Sequence, residues 1–470
     1  MNMLRKFTVL LLFVFLFSLV GNVGCESVEI DENEADIVEE PKIDMGGYEC
    51  LILQDYDIVK PFRYKEDTLF ADTVLERMSE IETDYNCNIT LGYQGANNDL
   101  TSYVSANMGA GSYIGEMLHS MDSNVASNIA YAGYFYPLTE LKDIIDYSDS
   151  EKYGGANILE VAMLNSIPYT VSPMMWPEKQ STWVTYVIVA NSNLIKQSGF
   201  SDPREYIEQK NWTWDSFEEC IKNMTLVEGE KTIYSLHTFP NYMAKNAVLS
   251  NGVSGITEID GVVKTDIYGD NCIDALNWAK RILTDYKANI DIKGSGWPDT
   301  FKSFINNECM MTMTSTGVVT TDIVYEMDEF ALLPFPCGPK GTYGRWAGVF
   351  EAAEGIGIFT NANEPEYAAH IIDELFKPFE GLETYDKLVD YYSEKIFFDR
   401  SDAEIYLDVG KYARYSYWTV GGDNFWGSVG SQLMNKSGAE LVQQFGPQLE
   451  AVVEKYIGTN YEYMSENLYK

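Results

Sequence analysis

Short apolar runs alternate with amphipathic stretches along most of this chain. Cys50-Leu51-Ile52-Leu53 is a continuous apolar run and reads as a buried strand. Ala71, Val74, Leu75, Met78 and Ile81 follow at helical spacing. Asn86-Cys87-Asn88 is turn-like, and Ile89, Leu91 and Tyr93 then alternate as a second strand. Strand, helix, strand is the unit of a parallel sheet with a right-handed crossover. A further helix is predicted over Leu100, Tyr103, Val104 and Met108, stopped by Gly109-Ala110-Gly111, and a third strand over Ile114 to Leu118. The fold class is α/β.

Regular patterning breaks into Pro, Ser, Met and Trp between Pro168 and Trp183. A β-rich run from Thr182 to Ala190 follows, then Asn193-Leu194-Ile195-Lys196. Thr213 is a plausible N-cap for a helix opening at Trp214-Asp215-Ser216-Phe217. Ala275, Trp278, Ala279, Ile282 and Tyr286 form an amphipathic stripe, so Trp214 and Trp278 read as core.

At 470 residues the chain exceeds one typical domain. Its 33 basic against 71 acidic residues give a net charge of −38, a surface that repels phosphate and excludes a nucleic-acid partner. The three histidines, His119, His237 and His370, are far apart, and HExxH, GxSxG, the P-loop and GxGxxG are all missing. No metal, cofactor or catalytic group is therefore expected.

Arg5 and Lys6 precede an apolar run from Phe7 to Val20, too short to prefer a membrane-spanning helix over a signal. It ends at Gly24-Cys25, which resembles a bacterial lipobox although Asn22 stands where Leu is usual. The resemblance implies a signal over 1–24 and lipidation of Cys25. Eight of the fifteen residues from Glu26 to Glu40 are acidic; such a run repels itself and reads as an extended tether through residue 45. The six other cysteines contain no CxxC, so a zinc site is not expected. An exported chain permits disulfides, and Cys50 and Cys87, on neighbouring strands, are equally readable as a bridge or as two buried thiols.

Several segments, in order, resemble extracellular solute-binding proteins of the sugar-binding family 1 type, which serve ABC importers. They are WVTYVIVANSNLIKQSGFSDPREYIEQKNWTWDSFEECIKNM (183–224), DNCIDALNWAKRILTDY (270–286), FKSFINNECMMTMTSTGVV (301–319), FALLPFPCGPKG (330–341) and GVFEAAEGIGIFTNANEPEYAAHIIDELF (348–376). The stretch 377–430 matches no motif. The resemblance implies a two-lobed, periplasmic-binding-protein-like (type II) fold whose discontinuous lobes close on a ligand in the cleft between them. Lobe one is expected over 46–175 plus 306–345, lobe two over 176–305 plus 346–470.

A sugar needs amides and carboxylates at its edges and aromatic rings against its faces. Trp176 in the first crossing, Trp183 and Tyr186 beyond it, and Trp297 and Trp346 on loop-like ground are candidate cleft residues. So are Asp423, Asn424 and Trp426, where aromatics flank Gly421-Gly422, and Asp122 after the third strand; Glu351 reads as a solvated charge. The expected molecule is a monomeric receptor, lipid-anchored at the extracellular face of the membrane, that hands a mono- or oligosaccharide to importer permease subunits. A surface glycoside hydrolase and a sugar-sensing partner of a signalling receptor are the alternatives. Cys25→Ala should move the protein from the membrane fraction into the soluble one on fractionation; unchanged membrane retention would contradict the anchor.

Overall fold

In this computed structural model the described residues are 42–454, apart from 57–59, 66–67, 121–122, 180–183, 229–230, 256, 260–261, 287–288, 291–297, 351–353, 398 and 416–422. The signal, Cys25 and nearly all of the tether lie outside them. From Asp44 onward the chain is one compact unit.

It opens with β1 (Tyr48–Gln54), α1 (Leu69–Tyr85), β2 (Cys87–Tyr93), α2 (Asn97–Gly109), β3 (Met117–Ser120) and α3 (Ser123–Tyr131). β1 is central and parallel to both neighbours, with Cys50 opposite Ile89 and Ile52 opposite Met117. Thr68 Oγ1 caps α1 by accepting from the Ala71 N–H at 3.4 Å, and Asn86 ends it in the left-handed conformation. Ala71, Val74, Met78 and Ile81 face the core as the spacing predicts, but Leu75 is exposed. β3 starts at Met117 rather than Ile114, because Gly115 takes a φ of +147° beneath Leu51 O, where a strand cannot continue.

The first sheet sorts its side chains by the period-2 rule. Cys50 and Ile52 pack with α1, while Leu53 and Leu118 pack on the other face with α2 and α3. Layers of helix, sheet and helix result.

The second half contributes β4 (Val184–Thr185), β5 (Val187–Ala190), α4 (Ser192–Ser198), α5 (Trp214–Asn223), β6 (Leu226–Glu228), β7 (Lys231–His237), α6 (Pro240–Ser250) and α7 (Asp270–Thr284). Then come α8 (Pro298–Ile305), β8 (Cys309–Thr314), β9 (Ala331–Leu333), β10 (Val349–Phe350), β11 (Gly355–Ile358) and α9 (Pro365–Leu375). α10 (Tyr385–Tyr392), α11 (Arg400–Lys411), β12 (Arg414–Tyr415), α12 (Asp423–Leu433) and α13 (Gly438–Val452) complete it. The second sheet runs β9-β5-β8-β7-β6, and β11 joins the first sheet antiparallel to β3.

That topology corrects the expected assignment of 306–345 to the first lobe. β8 pairs with β5 and β7, and β9 with β5, so this stretch belongs to the second sheet; 355–358 returns to the first. All six residues of β8 are buried, which the sheet centre requires and a lobe-joining strand would not. The two crossings touch: β4 on the outgoing chain pairs antiparallel with β10 on the returning one, and β12 adds beside β10.

Thr213 does open α5, its N–H donating to Ser216 Oγ at 2.9 Å. Trp214 stacks flat on Trp278 at 4.3 Å, with Phe335 edge-on to Trp278 and Phe217 tilted against it. All six cysteines of the body are free and buried; Cys50 and Cys87 do lie on adjacent strands but are not joined. Burial raises the thiol of Cys87 to about 11 and those of Cys220 and Cys309 to about 12. Trp278→Ala should cost ~3–5 kcal/mol in urea unfolding, the usual range for deleting a large buried aromatic; a loss below 1 kcal/mol would place the indole outside the core.

Candidate functional site

In open α/β sheets, ligands are bound beyond the carboxyl ends of the strands. In the first sheet that edge carries Gln54, Asp55, His119 and Ser120, all buried. Glu354 arrives there from the antiparallel β11, and Lys179 from the first crossing.

These groups form one network. Arg63 donates to Asp55 Oδ1 at 3.0 Å, and Ser120 Oγ to Asp55 Oδ2 at 2.8 Å. Tyr56 donates to Gln54 Oε1 at 2.7 Å, and its hydroxyl is 2.5 Å from His119 Nδ1. His119 Nε2 lies 2.8 Å from Glu354 Oε1, and Lys179 Nζ 3.2 Å from the same oxygen. Lys179 also donates to the Phe62 carbonyl and stands 4.5 Å from the Tyr64 ring. Phe62 and Arg63 both adopt positive φ, 48° and 60°, an uncommon backbone for such residues. The turn lets the Phe62 N–H reach Gln54 Oε1 at 3.1 Å while Arg63 reaches Asp55.

Burial by itself would raise the Glu354 carboxyl, but Lys179 and then His119 outweigh it and hold it near 2. Burial pushes the Lys179 ammonium down from its ordinary value; it shares its carboxylate with His119 and feels Arg63 nearby. Both crossing segments are thus tied by charge to the first sheet.

The matching edge of the second sheet carries His237 at the end of β7 and Thr238 after it, Ser315 and Thr316 after β8, and Tyr186 before β5. Thr316 Oγ1 accepts from the Val184 N–H at 3.2 Å, and Asn289 Oδ1 from the Thr238 N–H at 3.0 Å. His237 contacts Ser303 through Nδ1, and burial takes it down to about 4. Tyr186 stacks on Tyr242 with ring centroids 3.6 Å apart, and Lys245 Nζ lies 6.0 Å from the Tyr186 ring. Among the described residues no group of three or more His, Cys, Asp or Glu is placed to hold a metal ion, and no helix is long and apolar enough to cross a membrane.

The structure redistributes the predicted aromatics. Trp176 is 0% exposed, packed among Phe62, Tyr64, Phe376 and Phe379 with its Nε1–H on the Lys377 carbonyl at 3.1 Å. It anchors the first crossing and offers no face to a solute, a correction to the cleft reading. Trp426 is likewise corrected: it sits on α12, 4% exposed, in the second core. Asp423 and Asn424 are the first residues of that helix rather than of a loop, and their side chains lie outside the described set. Trp183, Trp297, Asp122 and Glu351 also lie outside it. Tyr186 is at the second sheet's edge, and Trp346, buried, lines an open cavity of about 280 Å³.

Sequence reasoning missed Asp55, Lys179 and Glu354, and counted His119 without assigning it a place. A signal existed for the first: Gln54-Asp55-Tyr56 directly follows a parallel strand.

Two α/β sheets joined by paired crossing strands, each with a polar carboxyl edge, define a two-lobed receptor of the type II periplasmic-binding-protein class. The chain belongs to the family described as bacterial extracellular solute-binding protein, whose model matches residues 76–393. Solved structures agree on the fold. The cyclic alpha-maltosyl-1,6-maltose binding protein of Arthrobacter globiformis is similar over 87% of this chain and 100% of its own, at TM-score 0.64 and 13% identity. A sugar transporter of Rhizobium etli in an open conformation is similar over 85% and 99%, at 0.64 and 16%. The GacH receptor of Streptomyces glaucescens, solved unliganded and with acarbose, is similar over 87% and 99%, at 0.57 and 12%. No curated protein sequence matches the chain.

Glu354→Gln should cost about 3–5 kcal/mol at neutral pH, because it strands Lys179 as a buried charge without its counter-ion. The Glu354 contribution has a fixed sign: its folded value lies below the ordinary 4.5, so it is present above that pH and lost as pH falls toward 2. Urea unfolding at pH 7 and pH 3 should show the variant losing less stability on acidification than the wild type. Equal acid sensitivity would mean the carboxylate is not held by this network.

Proposed function

We propose that this protein is the capture receptor of an ABC importer, held outside the membrane by a lipid on Cys25, and that its solute is a mono- or oligosaccharide. The observation carrying this reading is that structural neighbours sharing the fold over 85–87% of the chain are described as binding maltosyl sugars, as a sugar transporter, or with acarbose. The edges suit such a solute: hydroxyl, amide and carboxylate groups along them supply hydrogen-bonding partners.

The receptor acts by closure rather than by chemistry. A sugar contacting both edges lowers the free energy of the closed arrangement by exactly the contacts the open one lacks, so it shifts the population toward closure. The paired strands β4 and β10 are where such a motion would be absorbed, and the permease subunits would read the closed form.

Thermal-shift screening of neutral mono- and oligosaccharides should find a ligand that raises the melting temperature, since binding only the native state stabilises it. Small-angle scattering should then show a smaller radius of gyration with that sugar. Release of new reducing ends during incubation would overturn the receptor reading in favour of a hydrolase.

A further inference from the structure

The cavity of about 280 Å³ lies away from the stacked tyrosines, where the turn after α6 meets the loop 338–348. Its size is at the small end of ligand pockets. Two runs of backbone form its floor, at separations that only glycine allows. A Cβ on Gly341 would fall 2.1 Å from Ser250 O, and one on Gly252 2.5 Å from Lys340 O. Gly338 N–H donates to Ser250 O at 2.9 Å and Lys340 N–H to Asn251 Oδ1 at 3.0 Å, so the two runs are locked. The shape is therefore fixed before any ligand arrives.

Its charge departs from the rest of the molecule. Among its described lining residues Lys340 and Arg345 are the charged ones and none is acidic, in a chain of net charge −38. Lys340 makes no ion pair among the described residues. The carboxyl end of α6 would ordinarily oppose an anion here. Its last carbonyls are already occupied: those of Ala247, Leu249, Val248 and Ser250 accept from the N–H groups of Asn251, Gly252, Val253 and Gly338. Flat surface is present too. Trp346 is braced edge-on by Tyr343 at 5.1 Å, and Arg345 lies 5.2 Å from the Tyr412 ring.

We propose that this cavity binds the carboxylate of an acidic saccharide, a uronate, with Lys340 and Arg345 as its counter-charges and Trp346 against the sugar ring. The proposal rests on the reading of the protein as a carbohydrate receptor and adds a site for an acidic sugar outside the sheet edges. Cationic donors meet a carboxylate through charge-assisted hydrogen bonds, each stronger than the neutral pairs a plain sugar would offer. Removing one of the two should therefore cost about tenfold in affinity.

Calorimetry of the whole soluble protein with glucuronate, galacturonate and oligogalacturonates, beside the matching neutral sugars and inorganic phosphate, tests this. The expected result is uronate binding that weakens with added salt and falls at least tenfold in both Lys340→Gln and Arg345→Gln, with circular dichroism unchanged. Trp346→Phe should weaken the uronate while leaving any phosphate binding as it was. Binding of a neutral sugar alone overturns the uronate proposal and leaves the receptor function standing. Binding of phosphate as tightly as uronate overturns the saccharide part, and uronate binding indifferent to both cation variants places that site elsewhere. No binding of any sugar overturns the proposal together with the receptor reading.

Discussion

Glu354 carries a charge in a place that water does not reach, and it can do so only because Lys179 and His119 are within hydrogen-bonding distance of the same oxygen. Each of the three comes from a different passage of the chain: the return crossing, the outgoing crossing and β3. An isolated buried carboxylate would cost several kcal/mol, so the arrangement constrains all three passages at once. The β4–β10 pairing adds a backbone link between the same two crossings. Both crossings are therefore held at their inner ends by this triad.

Much of the framework was legible in the sequence, and for identifiable reasons. β1, α1 and β2 announce themselves because their burial follows from local period, and the α7 stripe does so because one face of a regular helix has to meet a core. Thr213 reads correctly because capping is decided within four residues. The assignment of β8 failed because its neighbours, β5 and β7, are set by tertiary pairing; a short apolar run looks the same in either sheet.

The candidate site was less legible. Trp176 and Trp426 were read from their Pro and Gly neighbours as loop aromatics, yet local irregularity says nothing of what covers a ring from outside. Trp176 is covered by Phe376 and Phe379, two hundred residues away in sequence. Lys179, His119 and Glu354 share no local pattern, since long-range charge pairing leaves no period. Tyr186 and Trp346 both lie near chain crossings, as the sequence suggested, but both are buried.

The six buried thiols carry a consequence for how the molecule comes to be made. In the folded state each is shielded and held largely as the unreactive protonated form, so oxidants meet little thiolate. The newly exported, still unfolded chain has no such protection, and six cysteines allow fifteen wrong pairings, none of them native. Maturation is thus a race between core formation and air oxidation. Its yield from an oxidising secretion route should be governed by that race rather than by final stability.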